Sequence, residues 1–409
     1  MSDVSLMIYP WDVVSDGPER VIEIVASLGV DRLAIATAYH SAEVISPRRS
    51  DRVSTLAEAN TIHFPIRASS FTGLAVPPSR IARENPDLYF SLKRAADAAG
   101  ISLTGWGIAF HNTDLATDHP EVAIENCFGD TFAHGLCPAN PSAQMYAVEL
   151  FGEISSSGLF DRVLVESLSY LLYGHGHPHE LWGARFDPTT RYLLSLCFCT
   201  HCSAAAMKRG IDIGLLRVRV SHELHRTWNA ETPVGRDPDD GTEIGSLHMV
   251  WPELAAYTRM RNEIVTELAG AVARVIRTNG AVLDLSAAVW GRPAFSNWME
   301  GVDVAASIAI ADSFVLESYY PTAGEVAREI DHTLAAAALS DRGPESIASA
   351  ITLWPSFHPT KDSFLSKVDA IRGAGVSKLA LYNYGTATAQ TLAWVKDAVE
   401  MMRGNDDRQ

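Results

Sequence analysis

The segment RVLVESL, residues 162–168, places an acidic residue directly after three apolar ones. A run this apolar is typical of a strand that is covered on both faces, as in a parallel sheet. The arrangement returns as SFVLESY at residues 313–319, where Glu317 stands in the position of Glu166. Two such strands, separated by segments with helical periodicity, indicate a β/α architecture.

Six further apolar runs extend this alternation along the chain. We predict eight strands, at residues 6–11, 32–39, 102–110, 162–168, 281–287, 313–319, 348–354 and 378–384. Between them, Pro18, Pro86 and Pro141 open segments that end in glycine, the expected asymmetry of helix starts and stops. Eight β/α units favour a closed (β/α)8 TIM barrel. A doubly wound sheet is the alternative, but no glycine-rich phosphate loop follows the first strand.

Two connections are longer than a simple barrel requires. Residues 41–85 follow the second predicted strand, and residues 169–280 follow the fourth. Both insertions leave from carboxyl ends of strands, where barrel enzymes build their sites. We therefore predict a single barrel domain over residues 1–409, with a helical and loop subdomain inserted at residues 169–250.

Charge and composition exclude several classes of partner. The 409 residues include 33 basic and 49 acidic ones, for a net charge of −16. A surface this acidic is unsuited to nucleic acid and to anionic membranes. The first twelve residues lack the basic and apolar regions of a signal peptide. An odd number of cysteines, five, argues against a secreted disulfide framework. We expect a cytoplasmic protein; a homo-oligomer is compatible with this composition.

Acidic residues at strand ends are the strongest chemical signal. Burying a carboxylate costs several kcal/mol unless it is paired, so Glu166 and Glu317 are candidates for catalysis. Neutralisation by a neighbouring arginine or by the backbone is the alternative. Asp284 is a third candidate, but it lies earlier in its strand, where a structural role competes. Paired carboxylates are what glycoside hydrolysis requires.

Aromatic and imidazole residues follow the same strand ends. A sugar offers apolar faces and many hydroxyls, so its site combines aromatic platforms with polar groups. Any single aromatic residue could equally belong to the core. The loop GHGHPHE at residues 174–180 has three interpretations: it binds substrate, it binds a metal ion, or it is a solvated loop without a binding role. The predicted sugar-binding residues are Tyr39, His40, Trp106, His111, Asn112, His177, Trp290, Tyr319, Trp354 and Tyr382.

Several motifs carry a resemblance to a known group. LCPANP at residues 136–141, WGIAFHN at 106–112 and ATAYH at 36–40 resemble an uncharacterised subgroup of TIM-barrel glycoside hydrolase-like proteins. The resemblance implies the barrel fold and makes Glu166 a catalytic carboxylate. Many retaining barrel hydrolases carry the nucleophile on strand seven, yet residues 348–354 contain no acid. A pair on strands four and six is similar to α-galactosidase-type barrels, which use aspartates.

A cysteine cluster adds a metal hypothesis. Cys197, Cys199 and Cys202 offer three soft ligands, and tetrahedral zinc would take a fourth from Cys137 or Cys127. The segment CFCTHC, residues 197–202, is similar to the cysteine knuckle of the family 42 β-galactosidases, which implies a structural zinc. A set of small buried thiols is the alternative.

These patterns lead to one hypothesis with two rivals. We predict a hydrolase of carbohydrate metabolism that cleaves a small glycoside, a glycosidase that needs no cofactor for hydrolysis. Glu166 would act as nucleophile or base and Glu317 as acid, with Asp284 in reserve. A metal-dependent sugar isomerase or epimerase could use the same three residues and a histidine around a cation. A non-catalytic sugar-binding barrel is the third possibility.

Overall fold

The computed structural model describes residues 2–50, 53–58, 61–66, 71–174, 186–229, 242–287 and 293–404. Eight parallel strands close into a barrel, which confirms the predicted (β/α)8 fold. Asp3 of the first strand lies opposite Lys378 of the last and closes the ring. The barrel strands are β1 (Asp3–Ile8), β2 (Arg32–Tyr39), β3 (Ser102–Ile108), β4 (Arg162–Glu166), β5 (Val282–Ser286), β6 (Ser313–Glu317), β7 (Ile347–Thr352) and β8 (Lys378–Tyr382).

Helices follow the strands and cover the outside of the barrel. Pro18 and Pro141 stand at the first positions of their helices, as predicted. The α-helices are α1 (Pro10–Asp16), α2 (Pro18–Ser27), α3 (Arg80–Glu84), α4 (Leu88–Ala99), α5 (Thr113–Asp118), α6 (Pro141–Ser156), α7 (Pro188–Leu194), α8 (Thr200–Lys208), α9 (Ile213–Trp228), α10 (Thr242–Val250), α11 (Pro252–Thr278), α12 (Val304–Ile310), α13 (Ala323–Ala338), α14 (Lys361–Gly373) and α15 (Ala389–Arg403). Short 3-10 helices lie at Pro120–Val122, Ala294–Glu300 and Pro344–Ser346. None of the described helices combines the length and the apolar character that crossing a bilayer requires.

The insertions add short strands and helices at the carboxyl ends of barrel strands. After β2, Glu43–Ile45 pairs with Ser54–Leu56, and Thr61–Ile62 pairs antiparallel with the end of β2. After β3, Ala123–Glu125 pairs with Thr131–Leu136. After β4, the chain passes through α7 to α11, and α11 packs against α6.

Helix α6 lies unusually close to the barrel wall. A β-carbon on Gly105 of β3 would stand 2.7 Å from Ile154 and 2.8 Å from Phe160, closer than atoms can pack. Glycine is therefore required there for steric reasons. Because α6 leads directly into β4, this close packing fixes the strand that ends in Glu166.

Candidate functional site

Glu166 and Glu317 are the last residues of β4 and β6. Carboxyl ends of parallel barrel strands meet at one mouth, so the two side chains share it. Both are partly buried, and the charge of Glu166 contributes to raising the pKa of Glu317. The structure thus brings the two predicted carboxylates into electrostatic contact.

The carboxylate of Glu166 is held by the neighbouring strand. Nε1 of Trp106, on β3, donates a hydrogen bond of 2.6 Å to Oε2 of Glu166. Burial raises the pKa of Glu166 to about 7, while this hydrogen bond acts in the opposite direction. Trp106 is 1% exposed, so its ring supports the carboxylate from within the core.

The carboxylate of Glu317 has a different environment. Oγ of Ser286, the last residue of β5, lies 3.0 Å from Oε1 of Glu317 and can donate to it. That hydroxyl is also 3.1 Å from the carbonyl oxygen of Ala287, so it serves one acceptor at a time. Burial, followed by the charge of Glu166, raises the pKa of Glu317 well above its usual range. Burial and the neighbouring negative charge thus favour the protonated form of Glu317.

Tyrosine hydroxyls meet beside the acidic pair. The hydroxyl of Tyr39 lies 3.0 Å from that of Tyr9 and 3.3 Å from that of Tyr382, and Tyr9 and Tyr382 also share a hydrogen bond. We call these three residues the tyrosine triad. Burial raises the pKa of Tyr382 to about 12, so its hydroxyl stays protonated at neutral pH. The triad therefore offers neutral hydrogen-bonding groups at the mouth.

Two more predicted sugar-binding aromatics lie at the same place. The ring of Tyr382 is 5.6 Å from that of Tyr319 and 5.5 Å from that of Trp354. Both glutamates contribute to raising the pKa of Tyr319, whose main cause is burial. Nε1 of Trp354 donates to Oγ1 of Thr386 at 2.8 Å, which fixes the plane of the indole.

The predicted polar residues have more varied surroundings. His40 stacks between Tyr39 and His111, at 4.4 and 4.2 Å between ring centres. Oδ1 of Asn112 accepts the backbone N–H of Leu115 at 2.9 Å and caps α5, so this side chain already has a structural partner. His177 and Trp290 lie outside the described residues.

Asp284 does not accompany the two glutamates. It is the middle residue of β5 and pairs with Arg162, the first residue of β4, with 2.9 Å between Nε and Oδ2. Arg32 adds a second contact, with Nη1 3.9 Å from Oδ2. The structure therefore places Asp284 in a buried ion pair with the residues that begin β2 and β4, away from the two glutamates at the strand ends.

Sequence reasoning missed two residues next to the carboxylates. Ser286 was not predicted, because a serine at a strand end carries no distinctive pattern. Ser167, directly after Glu166, has a φ of 55°, in the left-handed region that most residues avoid. Its carbonyl accepts the N–H of Phe110 at 3.0 Å, which ties the turn after β4 to the end of β3. The repeated Glu-Ser pair was the available signal.

The cysteine cluster forms a second candidate centre. The Sγ atoms of Cys137, Cys197, Cys199 and Cys202 all lie within 4.8 Å of one another, and all four residues are buried. Sγ of Cys137 is 3.5 Å from Cys202, 3.6 Å from Cys199 and 3.7 Å from Cys197. Sulfurs at 2.3 Å from a tetrahedral zinc stand about 3.8 Å apart, so the donor set fits this ion. Of the two cysteines predicted as a fourth ligand, Cys137 belongs to this cluster of sulfurs and Cys127 does not.

The architecture is similar to that of several solved structures. The fold is one that glycoside hydrolases use. The catalytic domain of β-amylase from Paenibacillus polymyxa aligns with a TM-score of 0.55 at 11% identity, over 97% of each chain. A β-galactosidase from Marinomonas ef1 gives 0.55 at 9% identity over 98% of this chain, and α-L-fucosidase isoenzyme 2 from Paenibacillus thiaminolyticus gives 0.54 at 11% over 100%.

The similarity has clear bounds. This chain spans 59% of that β-galactosidase and 50% of that fucosidase. No protein-family model matches the chain, and no curated protein does. At identities near 10% the similarity establishes the barrel fold.

Proposed function

We propose that this protein is a glycoside hydrolase acting on a small glycoside. The observation that carries the proposal is the pair Glu166 and Glu317 at one barrel mouth, each with its own hydrogen-bond donor, Trp106 for the first and Ser286 for the second. Glycoside hydrolysis needs one carboxyl group that holds a proton and one that is ionised. The Trp106 N–H favours the ionised form of Glu166, and burial favours the protonated form of Glu317, so the pair can supply both.

The environments also support an assignment of roles. Glu317, whose protonated form is favoured by burial and by the charge of Glu166, would protonate the leaving glycosidic oxygen as the general acid. Glu166, whose carboxylate accepts the Trp106 N–H, would attack the anomeric carbon or activate a water molecule. The tyrosine triad, Tyr319 and Trp354 would bind the sugar through hydroxyl groups and aromatic faces.

Activity assays on matched variants test this proposal. We expect turnover of at least one member of a broad panel of aryl glycosides by the wild-type protein. Glu166→Gln and Glu317→Gln should each lower kcat by about 10²–10⁴-fold, the usual contribution of a positioned acid or base. Glu267→Gln, on the exposed face of α11, is the control and should leave kcat unchanged. Equal activity in all four proteins would refute the acidic pair.

The same assays separate the two rival functions. A non-catalytic sugar-binding barrel would bind sugars without turnover, and its affinity would be the same in both glutamine variants. An isomerase would need a cation among Glu166, Asp284 and Glu317, but Asp284 pairs with Arg162 instead. Within the described part of the chain, the cysteine cluster is the one group of side chains placed to hold a metal ion.

We further propose that Cys137, Cys197, Cys199 and Cys202 hold a structural zinc ion. Their four thiolates would tie the hairpin ending at Leu136 to α8 of the insertion. Elemental analysis of the purified protein should find one zinc per chain. Cys137→Ser should lose it, whereas Cys127→Ser, at a buried thiol outside the cluster, should keep it. Reduced thiols of this kind fit the proposed cytoplasmic location.

A further inference from the structure

Arg261, in the middle of α11, is a fully buried cation. Its side chain is 0% exposed, and it lies beside the hydroxyl of Tyr192, whose pKa it lowers against the larger effect of burial. Within the described structure its three guanidinium nitrogens make no hydrogen bond of normal geometry, and a tyrosine hydroxyl is neutral. The described ion pairs do not include it either. Burying an arginine without a counter-charge costs several kcal/mol, so a compensating negative charge is expected nearby.

The surroundings of Arg261 lead towards the cysteine cluster. Its guanidinium group lies over the ring of Tyr170, 4.3 Å from the ring centre. The hydroxyl of the same tyrosine lies 3.4 Å from Sγ of Cys202. Tyr257, one helical turn before Arg261, donates a hydrogen bond to the carbonyl oxygen of Cys197. Two tyrosines therefore separate the buried cation from the four sulfurs.

A zinc ion bound by the four cysteines would form a centre with the negative charge that Arg261 needs. Four thiolates around one Zn²⁺ carry a net charge of −2, which is also costly to bury, and the single positive charge of Arg261 would offset half of it. We propose that Arg261 is the counter-charge of the tetracysteine zinc centre and acts on it through Tyr170. Arg261 is thus a positioning residue that strengthens zinc binding. This inference rests on the proposed zinc site and is independent of the proposed hydrolase activity.

Glu300 is the rival counter-charge. It is buried, and its carbonyl oxygen accepts the N–H of Tyr170 at 2.9 Å, so its backbone approaches the same tyrosine. Its carboxylate forms no ion pair with Arg261, for which the described structure places no carboxylate oxygen within 4.0 Å. A test must therefore distinguish an electrostatic interaction with the zinc thiolates, transmitted through Tyr170, from an interaction with the carboxylate of Glu300.

Zinc affinity of the full-length protein is the measurement, obtained by competition between Zn²⁺-loaded protein and a chromogenic chelator. Arg261→Met should weaken zinc binding about 10–100-fold, the usual cost of losing an outer-shell partner of a metal site. Arg261→Lys keeps the charge and should retain most of the affinity. Arg274→Met, on an exposed turn of the same helix, is the control and should bind zinc as the wild type does.

Each outcome decides the assignment. Wild-type affinity in Arg261→Met overturns it, and if that variant does not fold, Arg261→Gln is measured in its place with the same expectation. If Arg261→Met/Glu300→Gln regains wild-type affinity, Glu300 is the true partner and the proposal fails; a persistent loss supports it. A wild-type protein that binds no Zn²⁺ refutes the zinc site and Arg261 together, while the glutamine variants of Glu166 and Glu317 still test hydrolysis separately.

Discussion

Trp106 and Glu166 belong to neighbouring barrel strands, and the indole N–H of the first meets the carboxylate of the second at 2.6 Å. Trp106 lies opposite Leu164, two residues before Glu166. Side chains two residues apart on a strand point to the same face, so the buried indole can reach the acid at the mouth. A donated hydrogen bond favours the ionised carboxylate, whereas burial favours the protonated one. The balance between these effects sets the pH at which Glu166 can act as nucleophile or base.

Trp106→Phe should move the acidic limb of the pH–rate profile to higher pH. Burial already raises the pKa of Glu166 to about 7, so we expect half-maximal kcat/KM of the wild type near that pH. Losing a hydrogen bond to a charged group costs about 1.5–3 kcal/mol, which corresponds to roughly one to two pH units. The measurement is kcat/KM between pH 5 and 9 for both proteins. An acidic limb that stays in place would show that the indole does not control this proton.

Ser286→Ala should move the other limb. The hydroxyl of Ser286 lowers the pKa of Glu317 against the larger effect of burial, so its removal raises that pKa further. A general acid with a higher pKa remains protonated to higher pH, and the alkaline limb shifts upward by about one unit. The acidic limb should not change. A shift of the acidic limb instead would exchange the roles of the two glutamates.

Asp284→Asn should weaken the fold and leave the chemistry intact. The side chains of Asp284 and Arg162 are 9% and 17% exposed, and removing one partner of such a buried pair costs about 3–5 kcal/mol. Urea unfolding should show this loss, while kcat of the folded variant remains near the wild-type value. Asp369→Asn, which breaks the exposed pair with Arg372, serves as control and should cost less than about 1 kcal/mol. A large fall in kcat without loss of stability would instead support the catalytic role predicted for Asp284.

His63→Phe should make the protein less sensitive to mild acid. Burial lowers the pKa of His63 to about 4, below the value of about 6.5 in an unfolded chain. A depressed histidine pKa gives stability that is fully present above pH 6.5 and is lost as the pH falls towards 4, up to about 3 kcal/mol. The Tm of the wild type should therefore drop more steeply over this range than that of the variant. Parallel Tm curves would show that His63 does not contribute.

The strands were predictable because their apolar runs are long and regular. The prediction for β2 matches both observed ends, and that for β4 begins at the right residue but extends two residues too far, to Leu168. The same overshoot occurs at β3 and β8. Residues after these strands stay buried at the barrel mouth, as Leu168 and Tyr384 do, so apolar character continues after strand pairing has ended.

In the candidate site, the predictable residues are those whose type is unusual for their own strand. Glu166 and Glu317 stand out as acids in apolar strands, and the structure brings them together. The partners Ser286 and Trp106 depend on which strands are neighbours and on which face each side chain takes, and neither follows from one strand's sequence. Asp284 is also an acid in an apolar strand, and its sequence does not distinguish it from the two glutamates. Only the structure shows that it faces an arginine.

Barrel closure has a consequence for how the protein is made. The first and last barrel strands are neighbours, and Tyr9 after β1 reaches Tyr382 at the end of β8. During synthesis, the edge of β1 that pairs with β8 therefore stays unpaired until nearly the whole chain has left the ribosome. Exposed strand edges attract other chains, and contacts so distant in sequence form slowly. A chain that stops before residue 378 should accumulate as aggregates or be degraded by proteases, because it lacks the strand that completes both the wall and the tyrosine triad.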